Sequence, residues 1–175
     1  MIRRAFLLVV LLTAFNTNAF ARLDQFSVPK PDFSGSWELV RSESRIETPY
    51  GLAGLRDSAP TQLYIQQNSS QTLILTTRHP GAVSRSYQFN GQTWLLAIEG
   101  DPTKLLMSSR IRGLSLITTG AGRVAGETFN LQEVLTMGAD GRTLTLRVTT
   151  TRPSGAATNT LIYKRASRNQ PPLAN

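Results

Sequence analysis

The sequence predicts an all-β fold, an antiparallel up-and-down barrel of eight to ten strands, with a two-sheet sandwich as the structural alternative. Three observations carry this. Apolar and polar residues alternate with period two along most of the 175-residue chain, the pattern of strands with one buried and one solvated face. Gly, Asn, Asp, Ser and Pro cluster at short intervals between those runs, and helical periodicity is almost absent. Parallel strands need long crossover connections, so a chain joined by short turns pairs its strands antiparallel. Closing such a sheet removes free edges, and roughly eight strands enclose room for one small ligand.

The strand at 32–40 organises the rest. Phe33, Gly35, Trp37 and Leu39 share one face and Ser34, Ser36 and Glu38 the other. Gly35 lets another backbone approach closely while the Trp37 indole covers the end of the core. Residues 41–60 break the alternation and predict a loop or short helix over one barrel mouth; Pro49, Gly51 and Gly54 weaken any longer helix. Strands follow at 61–67 and 71–78, joined through Asn68-Ser69-Ser70. Those at 83–89 and 92–98 flank Asn90-Gly91, the strongest two-residue hairpin signal in the chain. Strands at 104–112 and 114–119 precede a turn at Gly120 to Gly122. Strands at 126–137 and 142–152 pair across Gly138 to Gly141, and Pro153-Ser154-Gly155 leads into the last strand at 157–165.

The ends of the chain read differently. Arg3 and Arg4, an apolar run over 5–15 and Ala19-Phe20-Ala21 have the form of a signal peptide over 1–21, cleaved after Ala21. The protein is therefore expected to be periplasmic or secreted, with an extended lead-in at 22–31, a barrel domain at 32–165 and a disordered tail at 166–175. Cleavage leaves 154 residues, enough for one domain with one core. It also leaves 17 basic residues against 11 acidic ones, a formal +6. That excess suits an anionic envelope surface, but the basic residues are scattered without interleaved aromatics, so no specific nucleic acid is expected. With no cysteine, stability rests on packing and sheet closure, and thiolate metal sites are excluded. A monomer without metal or cofactor is expected.

The run Phe33-Ser34-Gly35-Ser36-Trp37-Glu38 resembles the opening Gly-x-Trp strand of the calycin superfamily, which includes lipocalins and intracellular fatty-acid-binding proteins. The closing run Thr160-Leu161-Ile162-Tyr163-Lys164-Arg165 resembles the last strand of the fatty-acid-binding branch. Small exported bacterial lipocalin-like proteins with a similar start and a Tyr-x-Arg finish are the nearest resemblance. It implies a ligand-holding barrel in which a basic last-strand residue, here Arg165, covers Trp37. The fatty-acid-binding branch holds a carboxylate with an Arg and a Tyr two residues apart on that strand. Tyr163 matches the tyrosine, but Leu161 stands where the arginine would be.

Catalysis finds little support. His79 is the single histidine, at a turn without a cysteine or carboxylate neighbour, and no nucleophile-elbow sequence is present. Strand parity is more informative. Arg85 shares a face with Val83, Tyr87 and Phe89, and Glu133 shares one with Phe129, Leu131 and Leu135. Both charges point inward, which is costly unless they are paired, hydrated or met by a ligand. Three readings follow: an Arg85–Glu133 ion pair, a polar anchor for a ligand head group, or a register slip that returns one charge to solvent. Trp94 reads as either a core or a mouth residue. The expectation is a non-enzymatic exported protein that binds a small apolar or amphipathic ligand, bordered by Trp37, Tyr64 or Leu63, Leu73, Arg85, Tyr87, Phe89, Phe129, Leu131, Glu133 and Tyr163. The alternative is an envelope interaction protein with a side-chain-filled barrel and a basic exterior.

Overall fold

The computed structural model describes residues 30–46, 59–68, 72–77, 84–97, 104–124 and 126–166. The signal segment 1–21, most of the lead-in, His79, residues 47–58 and the tail beyond 166 lie outside the described residues. So do the side chains of 72–77, including Leu73.

The described residues form ten strands: β1 (Gly35–Leu39), β2 (Gln62–Gln67), β3 (Thr72–Thr77), β4 (Ser84–Gln88), β5 (Asn90–Ala97), β6 (Lys104–Arg112), β7 (Ser115–Val124), β8 (Glu127–Met137), β9 (Thr143–Arg152) and β10 (Gly155–Arg165). They make one sheet in the order β4-β3-β2-β1-β10-β9-β8-β7-β6-β5, and every ladder is antiparallel. The first and last strands lie side by side, Trp37 opposite Arg165 and Leu39 opposite Tyr163. A 3-10 turn at Arg41–Glu43 follows β1, and Arg45 then bridges to Thr160 of β10.

Strong alternation of burial along β6, β8 and β9 places one face of the sheet indoors. The core contains Phe33, Trp37, Leu63, Met107, Leu144 and Tyr163. Leu63 is the inward member of the Leu63/Tyr64 alternative, since Tyr64 is exposed.

Three sequence expectations are corrected. Asn90-Gly91 makes no hairpin: β4 and β5 stand at opposite ends of the strand order, with no ladder between them and Phe89 alone linking them. Gly91, at φ +81°, instead lies inside β5, where the register with β6 shifts between Asn90 and Thr93. A residue with positive φ and a turn-like pair of side chains suits a bulge as well as a hairpin. Second, the sheet is not fully laddered into a ring; a seam remains between β4 and β5, so two edges persist. Third, Gly120 to Gly122 is not a turn. β7 runs straight through it, and the turns fall at Gly113-Leu114 and Gly126. The glycines serve packing: a Cβ on Gly120 would overlap Met107 Sδ, and one on Gly122 would lie 2.8 Å from both Leu105 Cδ2 and the Lys104 carbonyl.

Candidate functional site

The ladders stack the inward side chains into rows that cross the sheet. One row is aliphatic: Ile111, Leu116, Leu135, Leu146 and Leu161 stand opposite one another across β6 to β10. Two residues along each strand comes Ser109, Thr118, Glu133, Val148 and Asn159, all buried. Beyond it lie Met107, Gly120, Leu131, Thr150 and Ala157. A polar belt is thus held between two mainly apolar rows, at mid-depth in the barrel.

Across the interior, β4 supplies the complement. Arg85 and Tyr87, two residues apart on one face, both reach Glu133 on β8. Arg85 Nη1 donates to Glu133 Oε1 at 2.9 Å and the Tyr87 hydroxyl donates to Oε2 at 3.0 Å. Arg85 is 4% exposed and Glu133 3%, so of the three readings of this pair the register slip is excluded. Burial works against the Arg85 charge, but Tyr87 and the Glu133 carboxylate outweigh it and hold the guanidinium pKa above its ordinary value. Burial first, and then Glu133, push the Tyr87 phenol up, keeping it a neutral donor. On β6 and β7, Ser109 and Thr118 share a hydrogen bond of 2.8 Å.

The cluster is not fully satisfied. Among the described residues, Arg85 Nη2 and Trp94 Nε1 are buried and have no hydrogen-bond partner. Trp94, on β5, meets Tyr87 edge to face, with ring centroids 6.1 Å apart and planes at 85°. A buried donor left unpaired costs about 1–3 kcal/mol, more when charged, and such groups in native proteins call for an acceptor. Both orphan donors belong to one cluster. Among the described residues, Tyr87 touches the carriers of both donors, through Glu133 on one side and the Trp94 ring on the other.

The other sequence-named residues are dispersed. Trp37 is fully buried, its indole N–H donates to the Phe33 carbonyl at 3.0 Å, and the Arg165 guanidinium lies 4.4 Å from its ring centre. Arg165 also donates to the carbonyls of Ser34 (2.8 Å) and Gly141 (3.1 Å), crossing Gly35 where a Cβ would meet Arg165 Nη1 at 2.7 Å. Gly35 has φ +128°, so both conformation and space favour glycine there. The Tyr163 hydroxyl donates to the Pro60 carbonyl at 3.1 Å, and burial raises its pKa. Trp37, Tyr163 and Arg165 therefore gather at the end of the barrel where β1 meets β10, with their polar atoms satisfied. Phe129 is buried beneath the Arg152 guanidinium, 5.4 Å away. Phe89 sits at the foot of the seam with Lys30 Nζ 3.9 Å above its ring.

Ser109, Thr118 and Asn159 belong to the belt without being singled out by the sequence, while Trp94, open there between core and mouth, packs partly buried against the core. The available signal was parity: Ser109 alternates with Met107, Thr118 with Leu116 and Asn159 with Leu161. A separate concavity of about 530 Å³ lies on the outer face, bordered by Thr93, Leu106, Thr119, Asn130 and Gln132. Among the described residues no group of three His, Cys, Asp or Glu side chains could hold a metal ion.

No protein-family model and no curated protein sequence matches the chain. Solved structures do. Zebrafish ileal bile acid-binding protein, in complex with cholic acid, is 18% identical with a TM-score of 0.52, covering 77% of this chain and 98% of that one. Secretory abundant heat soluble protein 4 from Ramazzottius varieornatus is also 18% identical, with a TM-score of 0.47, covering 77% of this chain and 94% of that one. With β1 laddered to β10 and ten antiparallel strands wrapped in sequence order, the chain has a calycin-like β-barrel fold.

Proposed function

We propose that this is an exported, periplasmic binding protein that holds one small apolar or amphipathic molecule inside its barrel. The observation that carries the reading is the pair of buried donors, Arg85 Nη2 and Trp94 Nε1, that the described protein groups leave without an acceptor. A ligand oxygen that reaches either donor pairs it, while the aliphatic row and the Met107–Leu131 row receive its apolar body. Burial then supplies affinity at about 25 cal/mol per Å² of apolar surface. The fold supports the same reading, since the similar zebrafish protein carries cholic acid. Export draws on the charged, apolar and Ala-x-Ala sections of residues 1–21.

Native mass spectrometry of protein purified from its host, before and after solvent extraction, tests binding. A releasable small lipophile, or uptake of a neutral fluorescent probe after extraction, is the expected result. A chain that neither carries nor takes up any lipophile refutes the proposal. N-terminal sequencing of the periplasmic fraction tests export, with Arg22 as the expected first residue.

One observation favours a second reading, an envelope interaction protein. Leu95 and Leu106 face each other across β5 and β6 and are 62% and 51% exposed on the outer surface beside the 530 Å³ concavity. In-cell cross-linking at position 95 separates the two, because a carrier needs no stable protein partner.

A further inference from the structure

We infer that the barrel interior selects an uncharged amphipath whose polar end carries an acceptor oxygen, such as an alcohol, ester or ketone, over the carboxylate of the same chain length. This rests on the carrier reading above and specifies its ligand. The charges and the donors at one cluster set this preference. Arg85 is the inward cation of β4, and its charge is already met by Glu133 at 2.9 Å, both side chains being 3% exposed. The other hydrogen bond to Glu133 comes from Tyr87, a neutral phenol. The three groups together carry no net charge. Bringing in a carboxylate would place two anions on one guanidinium in a low-dielectric interior, where like charges disfavour one another and one must take up a proton.

The donor count points the same way. Nη2 of Arg85 and Nε1 of Trp94 are both donors without partners among the described residues, so a group that pairs with either must accept. An ammonium offers only donors and leaves both of them unpaired. A hydroxyl accepts from them and can also donate to a remaining lone pair on Glu133, since a carboxylate accepts more than the two hydrogen bonds formed here. The last strand agrees: Leu161 is buried in the aliphatic row, and Tyr163 already donates to Pro60. Among the described residues the inward positions of that strand add no cation for an acid, and Arg165 is already engaged over Trp37 and with the Ser34 and Gly141 carbonyls.

The experiment uses the extracted mature protein at neutral pH with N-phenyl-1-naphthylamine as a neutral displaceable probe. Four twelve-carbon competitors are compared: 1-dodecanol, methyl dodecanoate, dodecanoate and dodecylammonium. The alcohol and ester are expected to bind at least about 10-fold tighter than the acid and the amine, the factor of one hydrogen bond to a buried donor. Dodecanoate binding as tightly as dodecanol overturns the inference and leaves the carrier reading standing. No binding by the probe or by any of the four overturns the carrier reading itself.

Two variants test the cause. Trp94→Phe keeps a ring against Tyr87 and removes one donor; with the probe's own affinity measured on the same variant, dodecanol is expected to weaken about 10-fold relative to the probe. Glu133→Gln frees the Arg85 charge, and the preference is expected to turn toward dodecanoate by at least about 10-fold. Should Glu133→Gln fail to fold, the ranking by the unsubstituted protein and the Trp94→Phe result still decide the matter, and an unaltered alcohol affinity in Trp94→Phe counts against it.

Discussion

Removing Glu133 is the most demanding test of the interior. In Glu133→Leu the Arg85 guanidinium, 4% exposed, loses the carboxylate that lies 2.9 Å from it. Breaking a buried pair from one side costs about 3–5 kcal/mol, because the surviving charge stays desolvated. The Tyr87 hydroxyl loses its acceptor as well, a further cost of about 1–3 kcal/mol. The two belong to one network and do not add fully, so a loss of about 4–5 kcal/mol is expected. Against a typical domain stability of about 5–15 kcal/mol that is roughly a quarter or more of the total. The triple substitution Arg85→Met, Tyr87→Phe and Glu133→Leu removes the whole hydrogen-bonded group of Arg85, Tyr87 and Glu133 and fills the space with apolar groups. It is expected to recover most of the loss, since replacing a whole buried ionic group is often neutral or stabilising. Urea unfolding of the extracted protein, followed by Trp37 and Trp94 fluorescence, gives both values from the midpoints if the slope is unchanged. A Glu133→Leu loss below about 1 kcal/mol, or a triple variant no more stable than the single one, refutes the claim that this pair is a desolvated unit.

Three further outcomes follow from the geometry. Gly122→Ala is expected to cost about 1–3 kcal/mol in calorimetry, and Leu105→Ala does not rescue it, because the Lys104 carbonyl would still lie 2.8 Å from the new Cβ. Arg165→Met, which removes the cation over Trp37 and two hydrogen bonds to carbonyls, is expected to lower stability by about 1–2 kcal/mol and to shift the urea midpoint accordingly. Asp140 accepts from the backbone N–H groups of Arg142 and Thr143 and from the Thr143 hydroxyl, and these bonds hold its pKa below the ordinary 3.8. A carboxylate whose folded pKa is depressed stabilises above its unfolded pKa, and that contribution disappears as pH falls through the folded value. The stability gap between Asp140→Ala and the parent is therefore expected to be present at neutral pH and to close below pH 3.8; a gap independent of pH refutes the assignment.

Much of the fold is readable in the sequence because a half-buried strand has a period of two. The first and last strands, the inward direction of Arg85 and Glu133, and the cover of Arg165 on Trp37 all follow from parity or from the resemblance at the two ends. Local turn chemistry misleads in two places. Asn90-Gly91 has the conformational freedom of a hairpin, but the chain uses it as a bulge while passing from one end of the sheet to the other. Gly120 and Gly122 look like punctuation, yet they are inward positions emptied so that Met107 and Leu105 can lie across the backbone. A list of residues does not distinguish a glycine that bends the chain from one that admits a neighbour. The belt partners Ser109 and Thr118 have the right parity but a weak signal for another reason. Hydroxyl side chains are tolerated on either face of a strand, so only the partner strand reveals that they meet indoors.

The break between β4 and β5 has a mechanical consequence. Since Phe89 alone joins the two strands, the slit is pinned at that point and can widen only toward Ser84 and Ala97, as a book opens from its spine. Its two lips are held by ring contact at Tyr87 and Trp94 and by the guanidinium that reaches over to β8. Amide protons along these lips should therefore exchange with solvent at a small fraction of the free energy needed to release those of β8 and β9, which are laddered on both sides.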